Sequence, residues 1–449
     1  MLCQQHYSGK QQKKSKGHGR RQHTELPCEN ELLELLGDDA ICPICGLRYE
    51  PTGLKNSSEE VELEVRLYRR RKDRPLYRRT CSCEKSPLLI SAPVPARAFT
   101  KSSYSDSFWI EVFLLKYEYQ MPLNRIVGLL AGHGLHNVAP GTLCGGIGRA
   151  AQMLTPLYKK IIEYDKTALL RHMDETTLKV FMEVDDKKGH NWCLWQSSTK
   201  ETCVFMLSTG HNAAIPEAYL ENSPREGTVC VDRHKAYSNL EQSLAYCWAH
   251  VRRDFVKLAR CERRTLGWAV KWIKRIRLLY RLNRTRVAAK NNPEALAKAQ
   301  ASLQQAVKEI ECQCDEELNQ PYNWYTVNRR KVLESMQRHW KGLTVFLRDP
   351  EIPMDNNAAE RLFRPVANFR KACYGVHSKK FGNITAMLLS IFATLRLNGI
   401  APRDFLAEYF AAVAAGGGTN ASAAEFLPWN LSEKREKRLV QKKDPPDTS

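Results

Sequence analysis

The stretch from residue 168 to 250 constrains the fold most, because there the chain reads as strands in a fixed order. Three runs, LRHMDETTLKVFMEV (170–184), HNWCLWQSST (190–199) and TCVFMLSTG (202–210), are rich in β-branched and aromatic residues. VDDKKGH between the first two carries turn chemistry and puts Asp185 and Asp186 in a turn. Three antiparallel strands are expected. A short helix around Pro216–Leu220 leads to GTVCVD (227–232), an apolar run of the kind found in strands buried on both faces, and Ser243–Tyr246 supplies a fifth strand. This order predicts a multidomain α/β protein with a mixed-sheet core.

Composition divides the rest. Residues 1–24 carry Lys10, Lys13, Lys14, Lys16, Arg20 and Arg21 without an acid, which predicts a disordered basic arm. Residues 25–97 are poor in apolar residues and hold two separated cysteine pairs, the texture of a small zinc-binding module, closed by the linker APVPARAF. Residues 98–167 are a helical region, 168–251 the first part of the core and 252–350 a helical insertion, where Trp268, Trp272, Ile276 and Tyr280 recur every four residues. Residues 351–412 return to the core, with Leu388, Ile391, Phe392 and Leu395 along one helix, and 413–449 form a charged C-terminal tail.

Sixty-nine Lys and Arg against 49 Asp and Glu give a net charge of +20, which suits a polyanionic partner, nucleic acid before an anionic membrane surface. The longest apolar run, Ala386–Leu395, has ten residues. A membrane span needs ~18–20. With no apolar secretory signal at the start, the 15 cysteines are read as thiols or metal ligands in a reducing, cytoplasmic setting. A Gly-x4-Gly-Lys-Ser/Thr phosphate loop is absent from the sequence, so ATP is not expected to drive the chemistry.

Three carboxylates sit where the inferred core converges: Asp174 within the first strand, Asp232 at the end of the fourth, and Glu360 on the late helix of MDNNAAERLFRP. Hard divalent cations take oxygen ligands, and a two-metal phosphoryl-transfer site holds its ions ~4 Å apart with carboxylates from separate elements. Taken singly, each acid could equally be a solvated loop residue. Glu175 faces the other side of the strand from Asp174, which suits a structural role. Asp355 or Asn356 can cap the helix, and Arg364, one turn beyond Glu360, precedes the break at Pro365. Arg364 then either pairs with Glu360 or joins Arg370 and Lys371 as clamps on nucleic-acid phosphates.

Cys42 and Cys45 (CPICG) with Cys81 and Cys83 (CSC) supply four thiolates, enough for a closed tetrahedral Zn²⁺ site, with free thiols as the alternative. Arg69, Arg70, Arg71, Lys72, Arg74, Arg78 and Arg79 beside them suit DNA or a solvated basic strand. Cys247 and His250 lack a second pair at ligand spacing and read as buried structural residues, while Cys312 and Cys314 point to different helix faces. From Arg252 to Lys290 there are fourteen Lys or Arg against Asp254 and Glu262, which favours DNA contact through Lys271, Lys274, Arg275 and Arg277, with a solvated helix face as the alternative.

The strings HMDETTLKVF, VDRHKAY, CWAHVRRDF, DNNAAERLFRPV and LRLNGIAPRDFL, in this order, resemble the DDE transposases of the insertion sequence sixty-six family, over about residues 17–410. The resemblance implies a ribonuclease H-like core, a helical insertion between the second and third acids, and an acidic triad at Asp174, Asp232 and Glu360. It further implies two Mg²⁺ (or Mn²⁺) ions, cleavage at transposon ends and strand transfer to target double-stranded DNA. A homo-oligomer on DNA, accessory proteins of the same element and a place at the bacterial nucleoid go with that activity. A catalytically silent DNA-binding derivative and a hydrolytic nuclease are the alternatives. The chain departs from the family pattern in starting just upstream of the cysteine module, without the helix-turn-helix and coiled-coil stretch, and in reading GVHSKKFGN where a glycine-richer segment is usual.

Overall fold

The strand segments pair as one mixed sheet. In the computed structural model, which describes residues 40–50, 65–83, 85–182, 189–321, 327–417 and 422–432 with a few isolated positions, a small hairpin of β1 (Leu76–Arg78) and β2 (Leu89–Ser91) comes first. The sheet follows: β3 (Leu170–Lys179), β4 (Asn191–Ser198), β5 (Cys203–Ser208), β6 (Thr228–Val231) and β7 (Ser243–Tyr246), in the order β5-β4-β3-β6-β7. The first three are antiparallel, and β6 and β7 run parallel to β3. The basic arm 1–24 and the turn at Asp185 and Asp186 lie outside the described residues. The chain divides into two units, Met1–Arg69 and Arg70–Ser449.

Strand alternation gives β3 two chemistries. Arg171 and Glu175 face one side. Arg171 is buried and ion-paired at 3.1 Å with Asp165, which also accepts hydrogen bonds from Ser197, Thr202 and Tyr219 at 2.6–2.7 Å. Burying that carboxylate is tolerable because every donor is supplied. His172, Asp174 and Thr176 face the other side, toward the late helices.

Helices cover the sheet. Ser105 accepts the Phe108 N–H and starts α1 (Asp106–Phe113), which runs on as a π-helical turn over Leu114–Glu118. Helices α2 (Leu123–Gly132), α3 (Pro140–Lys166) and α4 (Ala214–Leu220) follow. The insertion consists of α5 (Trp248–Cys261), α6 (Leu266–Ala288), α7 (Pro293–Leu318), α8 (Val327–Arg338) and the short α9 (Trp340–Leu343). It has its own apolar core around Trp248, Phe255, Trp272, Ile276, Leu303 and Met336. Arg286 is fully buried there and donates to Gln300 and to the carbonyls of Phe346, Leu347 and Asp349 at 2.8–3.2 Å. Cys314 is buried and Cys312 exposed.

The chain returns through α10 (Asn357–Leu362), α11 (Arg364–Cys373), α12 (Lys379–Leu397) and α13 (Pro402–Ala415). Helix α12 closes the sheet edge: Thr394 Oγ1 accepts the Cys203 N–H at 3.1 Å and Ser390 Oγ the Phe205 N–H at 2.8 Å. Two hydroxyls one turn apart thus occupy donors that would otherwise invite another strand. Between α11 and α12, Gly375 adopts φ +157, and a Cβ there would come within 2.4 Å of the Lys179 carbonyl oxygen. The GVHSKKFGN segment uses that close approach to bridge Val376 to Val180, beyond the end of β3. Part of the expected tail packs: Phe426 and Leu427 are buried, and Trp429 stacks on Tyr164 with ring centroids 3.8 Å apart.

Candidate active site

Parallel pairing of β3 and β6 sets His172 opposite Cys230, so two residues further on Asp174 and Asp232 lie along adjacent strand directions. Asp174 is held by the N–H of Glu175 at 2.9 Å, and Asp232 accepts the N–H of His234 at 2.8 Å. Glu360 comes from α10 and meets α5, with Arg253 Nη2 at 3.2 Å and His250 Nε2 at 3.9 Å. His250 and Arg253 are three residues apart and share a helix face.

Asn356 fixes α10 to the sheet. Its side chain is buried, with Oδ1 2.7 Å from His172 Nδ1 and Nδ2 donating to the Met173 carbonyl at 2.8 Å. Its backbone N–H donates to Cys247 Sγ at 3.2 Å, and the Trp248 N–H donates to the Met354 carbonyl at 2.9 Å. The CWAH and MDNN segments therefore interlock across more than a hundred residues of sequence. Cys247 is buried as expected, whereas His250, expected to be buried with it, is partly exposed.

The electrostatics tie the three acids to one region. Burial raises the Asp174 carboxyl to about 7, and the charges of Glu175, Asp232 and Glu360 push the same way. His250 is shifted down by burial and by Arg253, against the pull of Asp232 and Glu360. Its Nδ1 is buried without a hydrogen-bond partner. A buried acid raised by three other acids is a place where a hard cation would relieve both desolvation and repulsion. The triad oxygens are not drawn into a tight cage, however. Among the described residues, the one set of three ligand atoms within 4.8 Å of one another belongs to Glu175, His211 and His234.

The cationic residues separate. Arg364 and Lys371 are exposed, and the ion pair to Glu360 comes from Arg253 rather than Arg364. Arg370 uses one guanidinium nitrogen, Nη1, to donate to Thr176 Oγ1 at 3.0 Å and to the Thr177 carbonyl at 2.8 Å, which holds α11 on β3. Lys271, Lys274 and Arg277 are exposed on α6, whereas Arg275 bonds Gln313 at 2.8 Å and lies over the Trp272 ring. In the first unit, Cys42 opens a tight turn in which the Gly46 N–H donates to its carbonyl at 2.9 Å and Gly46 adopts φ +72. Backbone N–H groups of Cys45 and Ile44 lower the Cys42 thiol to about 7. In the second unit, Cys83 lowers the thiol of Cys81 in the same way.

Sequence reading did not bring His250 and Arg253 to Glu360. The signal was present in CWAHVRR, where a His and an Arg at helical spacing face one direction, but their target lies over a hundred residues away.

The architecture defines an α/β protein whose mixed sheet and late helix converge on an acidic site interrupted by a helical insertion. Residues 101–384 match the model of the family described as Transposase IS66 family, and the chain belongs to that family. Membership makes it a DNA-processing protein of the transposition class. It is also similar to three proteins of Sinorhizobium fredii (strain NBRC 101917 / NGR234), each described as uncharacterized. One, y4jD, is 25% identical over 435 residues, covering 90% of this chain and 80% of the relative. Another, y4hP, is 23% identical over 422 residues, covering 86% and 73%, and y4qI is 24% identical over 371 residues, covering 76% and 66%. No helix among the described residues is long and apolar enough to cross a membrane.

Proposed function

We propose that the protein is a DDE transposase that cuts at transposon ends and joins the 3′-hydroxyls to target DNA, with Asp174, Asp232 and Glu360 as its metal ligands. The observation that carries this reading is the match of residues 101–384 to the transposase family, together with the parallel pairing of β3, which carries Asp174, with β6, which leads into Asp232, and the anchoring of the Glu360 helix to β3 through Asn356. Burial that raises the Asp174 carboxyl agrees with it. A ribonuclease H-like core is supported by the sheet order, an antiparallel meander on one side of β3 and two parallel strands on the other.

Three oxygen donors from separate elements suit Mg²⁺ or Mn²⁺. When bound, two such ions activate a water and then a 3′-hydroxyl and stabilise in-line phosphoryl transfer. The chain's own residues prepare this. Asp174 must give up its proton, Asn356 sets where α10 presents Glu360, and Arg253 is a cation ready to pass from Glu360 to a DNA phosphate once the acid is neutralised. Arg364, Lys371 and the exposed Lys271, Lys274 and Arg277 would contact the duplex. The lowered Cys42 and Cys81 thiols support thiolate ligation of Zn²⁺ within each cysteine pair, Cys42 with Cys45 and Cys81 with Cys83, since the thiolate is the ligand. Assembly as a homo-oligomer on DNA at the bacterial nucleoid, with accessory proteins, completes the proposal.

The test is purified protein with linear DNA carrying the element's own ends, Mg²⁺ and a plasmid target. Joined products lost in Asp174→Asn are expected. Cutting without joining would make the protein a nuclease, and binding without either would make it a silent derivative.

A further inference from the structure

We infer that Glu175, His211 and His234 form a second metal site, for one borderline divalent transition ion of the Zn²⁺ class, on the face of β3 opposite Asp174. Three loops or strands converge there. Glu175 is on β3, His211 lies just after β5, and His234 follows β6 in the turn that starts with Asp232. Glu175 Oε1 stands 3.6 Å from His234 Nδ1 and 4.0 Å from His211 Nδ1. Two donors on one tetrahedral ion at Zn–N and Zn–O lengths near 2.1 Å lie about 3.4 Å apart, so small side-chain rotations close the site. His234 Nδ1 also faces the Ala236 N–H at 3.3 Å, a long contact that ligation would replace.

Each ligand is oriented from behind. The Tyr237 hydroxyl donates to Glu175 Oε2, leaving Oε1 for the ion. The loop bearing His211 is held by Ser208, which accepts the Trp195 indole N–H at 2.9 Å and donates to the Gly210 carbonyl at 2.8 Å. The Trp195 ring lies against both His211 and Tyr237. His234 is turned by its own N–H, which donates to Asp232 at 2.8 Å. The Tyr237 hydroxyl is thus the outer hydrogen-bond partner of the carboxylate ligand, and the histidines are placed by backbone bonds and ring packing. The carboxylate is nearly buried, at 8% exposure, while the imidazoles are 45% and 40% exposed, so the ligands sit at the surface with an entry path.

Donor chemistry separates this site from the triad. Two imidazoles and one carboxylate favour zinc, cobalt or nickel over Mg²⁺, which takes oxygen ligands. An ion here would pin the two loops that flank the sheet and stiffen the turn carrying Asp232.

The test measures metal content and Co²⁺ absorption of the full chain, loaded after chelation, in the wild type and in Glu175→Gln, His211→Ala and His234→Ala. Each variant should lose one equivalent, and affinity should fall by at least about 100-fold, since even an outer partner costs 10–100-fold. Tyr237→Phe should cost about 10-fold. The thermal midpoint of the wild type should rise with added Zn²⁺ by a margin that the three variants lack. Cys42→Ser should remove a different equivalent, recognised by loss of thiolate charge-transfer absorption. Unchanged metal content in all three variants overturns the proposal. So does parallel loss of the ion in Asp174→Asn and Glu360→Gln, which would assign it to the triad. Survival of this site in a protein inactive in strand transfer would leave it standing while the transposase reading fell.

Discussion

Asn356 and His172 meet at 2.7 Å although 184 residues separate them, and this contact joins the helix bearing Glu360 to the strand bearing Asp174. The Asn356 amide also donates to the Met173 carbonyl, so one side chain fixes both the height and the rotation of α10 over β3. Replacing it removes partners from buried polar groups, a loss of about 1–3 kcal/mol. Asn356→Ala should therefore lower the thermal midpoint and abolish DNA joining, while DNA binding at low salt persists. Band-shift and strand-transfer assays on the same preparation check this, and joining at wild-type rate would show that α10 needs no such anchor.

The acidic triad should be indispensable to chemistry and dispensable to folding. Asp174→Asn, Asp232→Asn and Glu360→Gln should each reduce cleavage by about 1,000-fold or more, because stabilisation of developing charge is the largest catalytic term. The exposed acids Glu163 and Glu241, replaced by Ala, serve as controls with near-normal rates. Retained cleavage in any triad variant that binds DNA normally removes that residue from the site.

Stability without metal should depend on pH through Asp174. Its folded value near 7 lies above the ordinary 3.8, so between these limits the folded protein holds a proton that the unfolded chain has released. Stability then falls as pH rises through that window and levels off above about 7. Asp174→Asn should flatten this slope, and Mg²⁺ should counteract it in the wild type by favouring the carboxylate. Melting curves from pH 4 to 8, with and without Mg²⁺, read the effect. Identical slopes in wild type and variant would mean that Asp174 does not retain its proton.

The cations of α6 should divide by function. Charge reversal of Lys271, Lys274 and Arg277 should weaken DNA binding and reduce its salt dependence, by about one counterion for each lost phosphate contact. Arg275→Ala should instead destabilise the α6–α7 contact and leave the salt slope nearly unchanged, because its guanidinium is spent on Gln313 and Trp272. Salt titrations of DNA affinity distinguish the two groups, and equal slopes for all four variants would contradict this division.

Arg286 should be a stability residue. Its removal takes a donor from three carbonyls: Leu347 keeps Gln300 and Asp349 keeps the Ile352 N–H, while Phe346 loses the guanidinium, at a cost of about 1–3 kcal/mol. Denaturant unfolding of Arg286→Ala should show a lowered midpoint, whereas an unchanged midpoint would mean that water replaces the guanidinium.

Local pattern alone determined the element order of this protein. Strand periodicity marked all five strands, Ser243–Tyr246 to the residue, because alternation and β-branched content reflect burial by immediate neighbours. The four-residue spacing from Trp268 to Tyr280 marked the inner face of α6 for the same reason, and alternation separated Asp174 from Glu175. Partners across the chain were decided only by the tertiary structure. It gave Glu360 to Arg253 and His250, engaged Arg370 and Arg275 in internal hydrogen bonds, buried Asp165 and Arg286 among hydrogen-bond partners, and brought His211 to His234 beside Glu175. An isolated charge in a sequence carries no sign of whether it will meet solvent, phosphate or a buried carbonyl. Its fate depends on which surface packing closes over it, and that is set by contacts between segments a hundred or more residues apart.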